Sequence, residues 1–414
     1  MTSHFFLFGG AITQERLSWV EGCLKFFFVN LNPENLLHHT RDSGEGIFVF
    51  LLTGDALYSL HEPETLRIWE IILSLPSVRI ICDREELERR GISIEGLKMK
   101  HYDQVIDHNR LGVSGQQSFW NDVAQIARQH EQPMPSTIGY LQLESPYMHR
   151  SAVSAVRCLA AALDVHASVD LYAYLDGVHV SHSGQNPTES ENIGSGLEAI
   201  SEKAAKRGLQ CQMIACSKYA ASRGYSTWDD GKGQVVSACT IRPFRIRSLT
   251  EMIHRFRRNH VILGENVASI HMKKDTSPSF SSEETGLFPP LTILITSTPY
   301  GTENALGAIS LGVAAAAQGI VTRVIFIEDG VYGLSGSHQL EKGTPSFNLQ
   351  EIINLVAGSD NLQFFAFQPS LHLREVTKNP KLNAVLDIGM PELGNLLFSS
   401  PKGGQAGHQR VLFF

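Results

Sequence analysis

Long apolar runs are missing. No stretch of the 414 residues reaches the roughly 18 apolar positions of a membrane-spanning helix, so no membrane association is expected. The N-terminus, Met1-Thr2-Ser3-His4-Phe5-Phe6-Leu7-Phe8, lacks the basic segment and small-residue cleavage site of a secretory signal, which makes the cytoplasm the expected compartment. Cysteine is scarce: six residues, none in a Cys-x-x-Cys pair, exclude a disulfide scaffold and predict free thiols. Cys211 and Cys216, five apart, fall on opposite faces of a strand with no further Cys or His to complete a zinc set, and no metal site is expected. Charge is sparse at 19% and acidic in balance, with 35 Lys and Arg against 42 Asp and Glu for a net of −7, which disfavours a nucleic-acid binder. What is present is a 43% hydrophobic composition, enough to bury the cores of two or three domains.

The chain repeats itself. A strand-like run at 138–143 precedes Ser145-Pro146-Tyr147, and another at 291–297 precedes Thr298-Pro299-Tyr300. Both lead into small-residue helices, then into strand-like runs ending in Asp176-Gly177-Val178 and Asp329-Gly330-Val331; Pro to Asp is thirty residues in each case. Two motifs matched at one spacing imply a duplicated unit of about 120 residues. A fainter first copy has Gly54-Asp55-Ala56 where the others have Asp-Gly-Val. Strand and helix alternate throughout, which predicts an α/β fold of three tandem doubly wound parallel-sheet domains at 1–130, 137–272 and 291–414, joined by linkers 131–136 and 273–290.

In such sheets reacting groups gather beyond the carboxyl ends of the strands. The loop Thr298-Pro299-Tyr300-Gly301-Thr302-Glu303-Asn304 enters a helix, where free amides either hold an anion or simply form a capped turn. Asp55, Asp176 and Asp329 stand at strand ends, where a turn residue bonding its own backbone is the simpler reading than a general base. At the end of the third strand two copies carry cysteine, Cys82 and Cys216, each followed by helical sequence that ends in Arg90-Gly91 or Arg223-Gly224; the third copy has Phe367 there. Between Cys216 and His260 nine Lys or Arg face three Asp or Glu, whereas Cys82 precedes Asp83, Glu85, Glu86 and Glu88. A positive surrounding lowers a thiol pKa, so Cys216 is the better candidate nucleophile, against the alternative that both are buried strand-end residues. Cys23 and Cys158 lie in apolar helical stretches and read as core; Cys239 follows the Cys216 helix and could serve as a second thiol.

This order of motifs resembles the DsrE/F-like family, the small sulfur-relay proteins of the DsrEFH and TusBCD assemblies. The likeness is strongest from Leu294 to Asn304 and from Phe326 to Tyr332, and the second copy repeats it with Cys216 and Arg223-Gly224. In that family a cysteine after the third strand carries sulfur as a persulfide. The resemblance implies catalytic roles for Cys216 and Cys82, three homologous copies fused as a pseudo-trimer, and a cytoplasmic sulfur carrier or sulfurtransferase without cofactor. Its partners would be sulfur-donor and sulfur-acceptor proteins, with homo-oligomers as a further option. A non-catalytic scaffold of a relay complex and a small-anion or nucleotide binder are the alternatives.

Overall fold

The computed structural model describes residues 4–30, 48–75, 77–108, 118–129, 137–229, 234–237, 239–259, 261–271, 289–336, 338, 347–398 and 408–414. The linker expected at 131–136 and nearly all of that at 273–290 lie outside the described residues. The protein is mixed α/β, with mainly parallel sheets, and divides into two compact units: Met1–Thr13 with Gly44–Ser269, and Gln14–Ser43 with Ile270–Phe414. The chain therefore crosses from one unit to the other inside the first expected copy.

The first unit holds β1 (His4–Phe8), β2 (Phe48–Leu52), β3 (Val78–Asp83), β4 (Val105–His108), β5 (Thr137–Gln142), β6 (Ser168–Ala173), β7 (Cys211–Cys216), β8 (Thr227–Asp229), β9 (Gln234–Val236), β10 (Phe244–Arg247), β11 (Val261–Gly264) and, as far as Ser269, β12 (Asn266–His271). Strands β1 to β4 lie side by side in chain order and in parallel, with β12 antiparallel on the outer side of β1. The second sheet is wholly parallel in the order β10-β7-β6-β5-β11, and β8 and β9 form a separate antiparallel pair. All five residues of β2, Val49 and Leu51 as well as Phe48, Phe50 and Leu52, are buried without alternation, as in a sheet covered on both faces. Phe50 stacks on Phe6 and meets Trp69 edge-on, with ring centroids about 5 Å apart, which ties β1, β2 and the helix Pro63–Ser74 into one core.

Helix boundaries follow local chemistry. Ser248 and Glu251 form a reciprocal capping box on the helix Leu249–Phe256, and Asn192 accepts from Ser195 N at the start of Ile193–Lys206. Gly91, at φ +64°, ends the helix Arg84–Arg90 in the left-handed cap that glycine adopts at least cost.

The second unit contains β13 (Leu291–Ile295), β14 (Thr322–Phe326), β15 (Leu362–Phe367), β16 (Val385–Ile388) and β17 (His408–Phe413), parallel in the order β16-β15-β14-β13-β17. Its helices include Asn304–Ala317, Leu349–Val356, Gln368–Leu373 and Met390–Phe398, and also Gln14–Asn30 from near the N-terminus. The last two pack together: Cys23 Sγ lies 3.9 Å from Met390 Sδ, the Phe27 and Phe398 rings are 5.2 Å apart, and Gly394 is small enough to admit the Phe26 ring.

One local device recurs three times. After β2, β6 and β14 the chain forms a seven-residue 3-10 helix, at Gly54–Leu60, Leu175–Ser181 and Glu328–Leu334. Each opens on a left-handed residue, Gly54 (φ +56°), Leu175 (+52°) and Glu328 (+53°), followed at once by Asp55, Asp176 and Asp329. Leucine and glutamate hold this conformation at a cost of about 1–2 kcal/mol each. The glycine of the Asp-Gly-Val sequence is required by close approach: a Cβ on Gly177 or Gly330 would lie about 2 Å from the carbonyl oxygen of Gln142 or Ile295. Among the described residues no helix is long and apolar enough to cross a membrane.

Candidate functional site

Cys82 is the fifth residue of β3 and Cys216 the last of β7, so both stand at the carboxyl ends of parallel strands. Short helices follow, Arg84–Arg90 and Ser217–Ser222; Phe367, at the end of β15, precedes the corresponding helix Gln368–Leu373. All three side chains are sealed from solvent, with Cys82 and Cys216 at 0% exposure and Phe367 at 1%.

Burial dominates the chemistry of Cys216. It pushes the thiol above its ordinary pKa, while the backbone amides of Tyr219 and Lys218 and the charges of Lys218 and Arg223 pull the other way. No full capping hydrogen bond to the helix closes at the sulfur, so the pull is partial. The positive surrounding expected at Cys216 is thus supplied by Lys218 and Arg223, and burial outweighs it. Counting basic residues along the sequence overestimates the local field, because they point to different places: Arg255, for one, is spent on buried Asp170 through bonds of 2.8 and 3.0 Å. The remaining thiols differ in kind. Burial alone raises Cys23 and Cys158, the core residues the sequence predicts, and burial with nearby Asp170 pushes half-buried Cys211 up to about 12. Half-buried Cys239 turns its Sγ to Tyr225 O at 3.4 Å and to Ser237 Oγ at 3.7 Å.

The acidic run after Cys82 also differs from its sequence reading. Glu85 meets Arg89 at 3.0 Å and Arg157 at 3.1 Å; buried Glu86 meets Arg150 at 3.0 Å and pairs with Arg90. Asp83 is buried, accepts from Thr53 Oγ1 at 3.0 Å and caps Glu86 N, and burial raises its pKa. The segment is a set of closed ion pairs rather than a bare negative patch.

The three strand-end aspartates share a partner type that the sequence did not pair with them. Arg90 reaches Asp55 at 3.0 Å, Arg223 Nε reaches Asp176 at 2.9 Å and Arg374 Nε reaches Asp329 at 2.8 Å. Each arginine comes from the helix after the third strand, and each clamp joins that helix to the 3-10 turn. The residue after Arg374 is Glu375, left-handed at φ +52°, as are Gly91 after Arg90 and Gly224 after Arg223. In the second unit the clamp extends into the helix Gln14–Asn30: Glu15 accepts from Arg374 at 2.7 and 3.0 Å and from Ser370 Oγ, and buried Glu328 accepts from Arg16 at 2.8 and 2.9 Å and from Trp19 Nε1 at 3.0 Å.

Around Asp176 stand residues that no motif flagged. His179 Nε2 is 3.8 Å from Asp176 Oδ1 and its Nδ1 bonds the Tyr225 hydroxyl; the ring of His182 lies 4.9 Å from that of Tyr225. Burial and the charge of Arg223 hold His179 below the usual histidine range. The positions matching His179 carry Tyr58 and Tyr332, so of these three turns the one after β6 holds the imidazole. The loop Thr298–Asn304 behaves as a turn: Gly301 is at φ +97°, Thr298 Oγ1 donates to Tyr300 O, and the Tyr300 hydroxyl bonds His338 Nδ1 at 2.6 Å. Among the described residues no cluster of three or more His, Cys, Asp or Glu is arranged to hold a metal.

The chain is similar to the ychN protein from E. coli, known from a crystal structure, at 18% identity over 30% of this chain and 99% of that one, with a TM-score of 0.24. No curated protein matches it. The segment 290–400, which includes β13 to β16 and the Asp329–Arg374 clamp, matches the model of the DsrE/DsrF-like family.

Proposed function

We propose that the chain is three fused DsrE/F-like copies, at 1–130, 137–272 and 291–414, forming a pseudo-trimer that works as a cytoplasmic sulfur carrier or sulfurtransferase. Cys216 takes sulfane sulfur as a persulfide and yields it to an acceptor thiolate, as a member of a relay with a sulfur donor and a sulfur acceptor. Cys82 is a second carrier, and the copy ending in Phe367 serves structure. The observation that carries this reading is the shared construction of the two segments: the Asp–Arg clamp of the family-matched stretch recurs around Cys216 as Asp176–Arg223. Arg223 and Lys218 supply the positive charge that favours a thiolate or persulfide anion there, against the cost of burial.

Each step is attack of a sulfur anion on sulfur, so no metal or organic cofactor is called on. The test is intact mass spectrometry after incubation with inorganic polysulfide and removal of excess. Wild type is expected to gain the mass of one or more sulfur atoms, with Cys216→Ser losing the adduct mapped to that peptide; unchanged loading in Cys216→Ser would refute the assignment.

A further inference from the structure

Within the first unit, β10 is the outermost strand of the wholly parallel sheet β10-β7-β6-β5-β11, and its register sets Arg245 beside Ile214 and Arg247 beside Cys216. Phe244 is buried and Ile246 half-buried, while Arg245 and Arg247 are exposed. Being two residues apart, the arginines leave the same face of the strand with about 7 Å between them. The β8–β9 pair touches β10 but forms a sheet of its own.

This edge carries charge without counter-charge. Among the described residues Arg245 forms no ion pair or side-chain hydrogen bond. The one acid within 4 Å of Arg247 is Glu251, at 3.9 Å, and its other oxygen already accepts from Ser248 N and Oγ at 3.1 Å each. Lys218, exposed and two residues beyond Cys216, lies over the Tyr219 ring at 5.3 Å and forms no ion pair among the described residues. The short helix that carries it packs against β10. Arg242 stands apart, since it lines a small cleft together with Glu198, and Arg223 and Arg255 are closed on Asp176 and Asp170.

Arg245, Arg247 and Lys218 thus make a basic rim along the strand pair that ends in Cys216, on a chain whose net charge is −7. Two copies of this edge would set like charges against each other, which turns away self-association. An extended segment with carboxylates at alternate positions presents them at the same spacing of about 7 Å, one to each arginine. The acidic balance of the chain disfavours a nucleic acid in that place.

We infer that Arg245, Arg247 and Lys218 form the docking surface for an extended acidic segment of a cysteine-bearing protein that exchanges sulfur with Cys216. The inference rests on the sulfur-carrier reading above and names the surface and the chemistry of the partner. In the exchange the partner's thiol gives up its proton, and the thiolate attacks the outer sulfur of Cys216–S–SH. The partner's S–S bond forms as the Cys216 S–S bond breaks, and the electron pair leaves on the Cys216 sulfur, which takes up a proton. Cys216–S–SH and R–SH become Cys216–SH and R–S–SH, with no net oxidation or reduction, and loading is the same step reversed.

The experiment uses the full chain, loaded with inorganic polysulfide, and two short peptide thiols: one alternates glutamate with threonine, the other glutamine with threonine, and each ends in cysteine. Quenched peptide mass spectrometry measures the rate of sulfur transfer, and anisotropy of labelled, cysteine-free versions measures binding. At low ionic strength the glutamate peptide is expected to accept sulfur about tenfold faster than the glutamine peptide, the effect of two exposed ion pairs. That lead should close at about 1 M salt, where charges are screened beyond about 3 Å. In Arg245→Glu/Arg247→Glu, with folding checked by circular dichroism, the lead is expected to vanish; Arg245→Gln/Arg247→Gln takes its place if the first variant does not fold. Equal rates for the two peptides in wild type, or a lead that survives in the folded variant, would overturn the inference and leave Cys216 as the carrier. Tighter binding of a single-stranded oligonucleotide than of the glutamate peptide would overturn it by assigning the surface to nucleic acid. Absence of persulfide on Cys216 after polysulfide would sink the carrier reading itself, and the inference with it.

Discussion

Replacing Arg16 by methionine should loosen the second unit severely. Glu328 is 4% exposed, and its carboxylate is held by two bonds from Arg16, of 2.8 and 2.9 Å, and one from Trp19. Methionine keeps most of the aliphatic volume of arginine but leaves the buried charge with the indole alone. Removing one member of a buried ion pair costs about 3–5 kcal/mol, because the desolvated partner remains. At 1.36 kcal/mol per decade, amide exchange protection in β13 to β15 is expected to drop by about two to four orders of magnitude if those amides exchange through opening of the unit. The companion variant decides the cause. Adding Glu328→Leu places at 328 the residue type found at Leu175, which already holds the same left-handed φ, so backbone geometry is respected. The double variant should recover most of the loss, since apolar replacement of a buried pair is often neutral. Hydrogen exchange by mass spectrometry measures both. A loss below about 1 kcal/mol in Arg16→Met, or no recovery in the double variant, would refute the view that this pair fastens the helix Gln14–Asn30 to its unit.

Other outcomes follow from the same geometry. Burial, reinforced by Glu144 and Asp55, pushes the Glu265 carboxyl up to about 7 from an ordinary 4.5. The folded state therefore holds that proton more tightly than the unfolded one, and stability falls as pH rises through this interval, by about 3 kcal/mol in all. Glu265→Gln should gain stability to urea above pH 7 and lose that advantage below pH 4.5; an equal effect at both pH values would contradict the assignment. Limited alkylation at neutral pH is expected to modify the half-buried Cys239 first, then Cys216, then Cys23 and Cys158, because at Cys216, unlike at Cys23 and Cys158, amides and cations oppose burial. Peptide mapping that finds Cys216 the slowest would remove the electrostatic argument. Phe367→Ala should cost about 3–5 kcal/mol in chemical denaturation, as for any fully buried ring. Phe367→Cys should not acquire sulfur from polysulfide as fast as Cys216; equal rates would mean that strand position alone sets reactivity.

The alternation of strand and helix, the matched Pro-Tyr and Asp-Gly spacings and the three strand ends at Cys82, Cys216 and Phe367 were legible because they are local or periodic signals. The clamps were half legible. Asp176 and the Arg223-Gly224 pair each stand out, yet they meet across 47 residues, and nothing along the chain states that the arginine spans to the turn. The field at Cys216 was misjudged for the same reason, since sequence proximity counted Arg255, whose guanidinium faces Asp170. The allegiance of Gln14–Asn30 to the second unit was out of reach, because the partners that fix it, Glu328, Arg374, Met390 and Phe398 among them, lie more than 300 residues along the chain. His179, His182 and Tyr225 come together beside Asp176 with no spacing rule between them.

The passage of the chain into the second unit at Gln14–Ser43 and back limits how the protein can be taken apart. A cut anywhere between 272 and 290 would release a C-terminal fragment without Gln14–Asn30, leaving Glu328 without Arg16 and Trp19, and Phe398 without Phe27. Such a fragment would begin life as a sticky, incomplete protein.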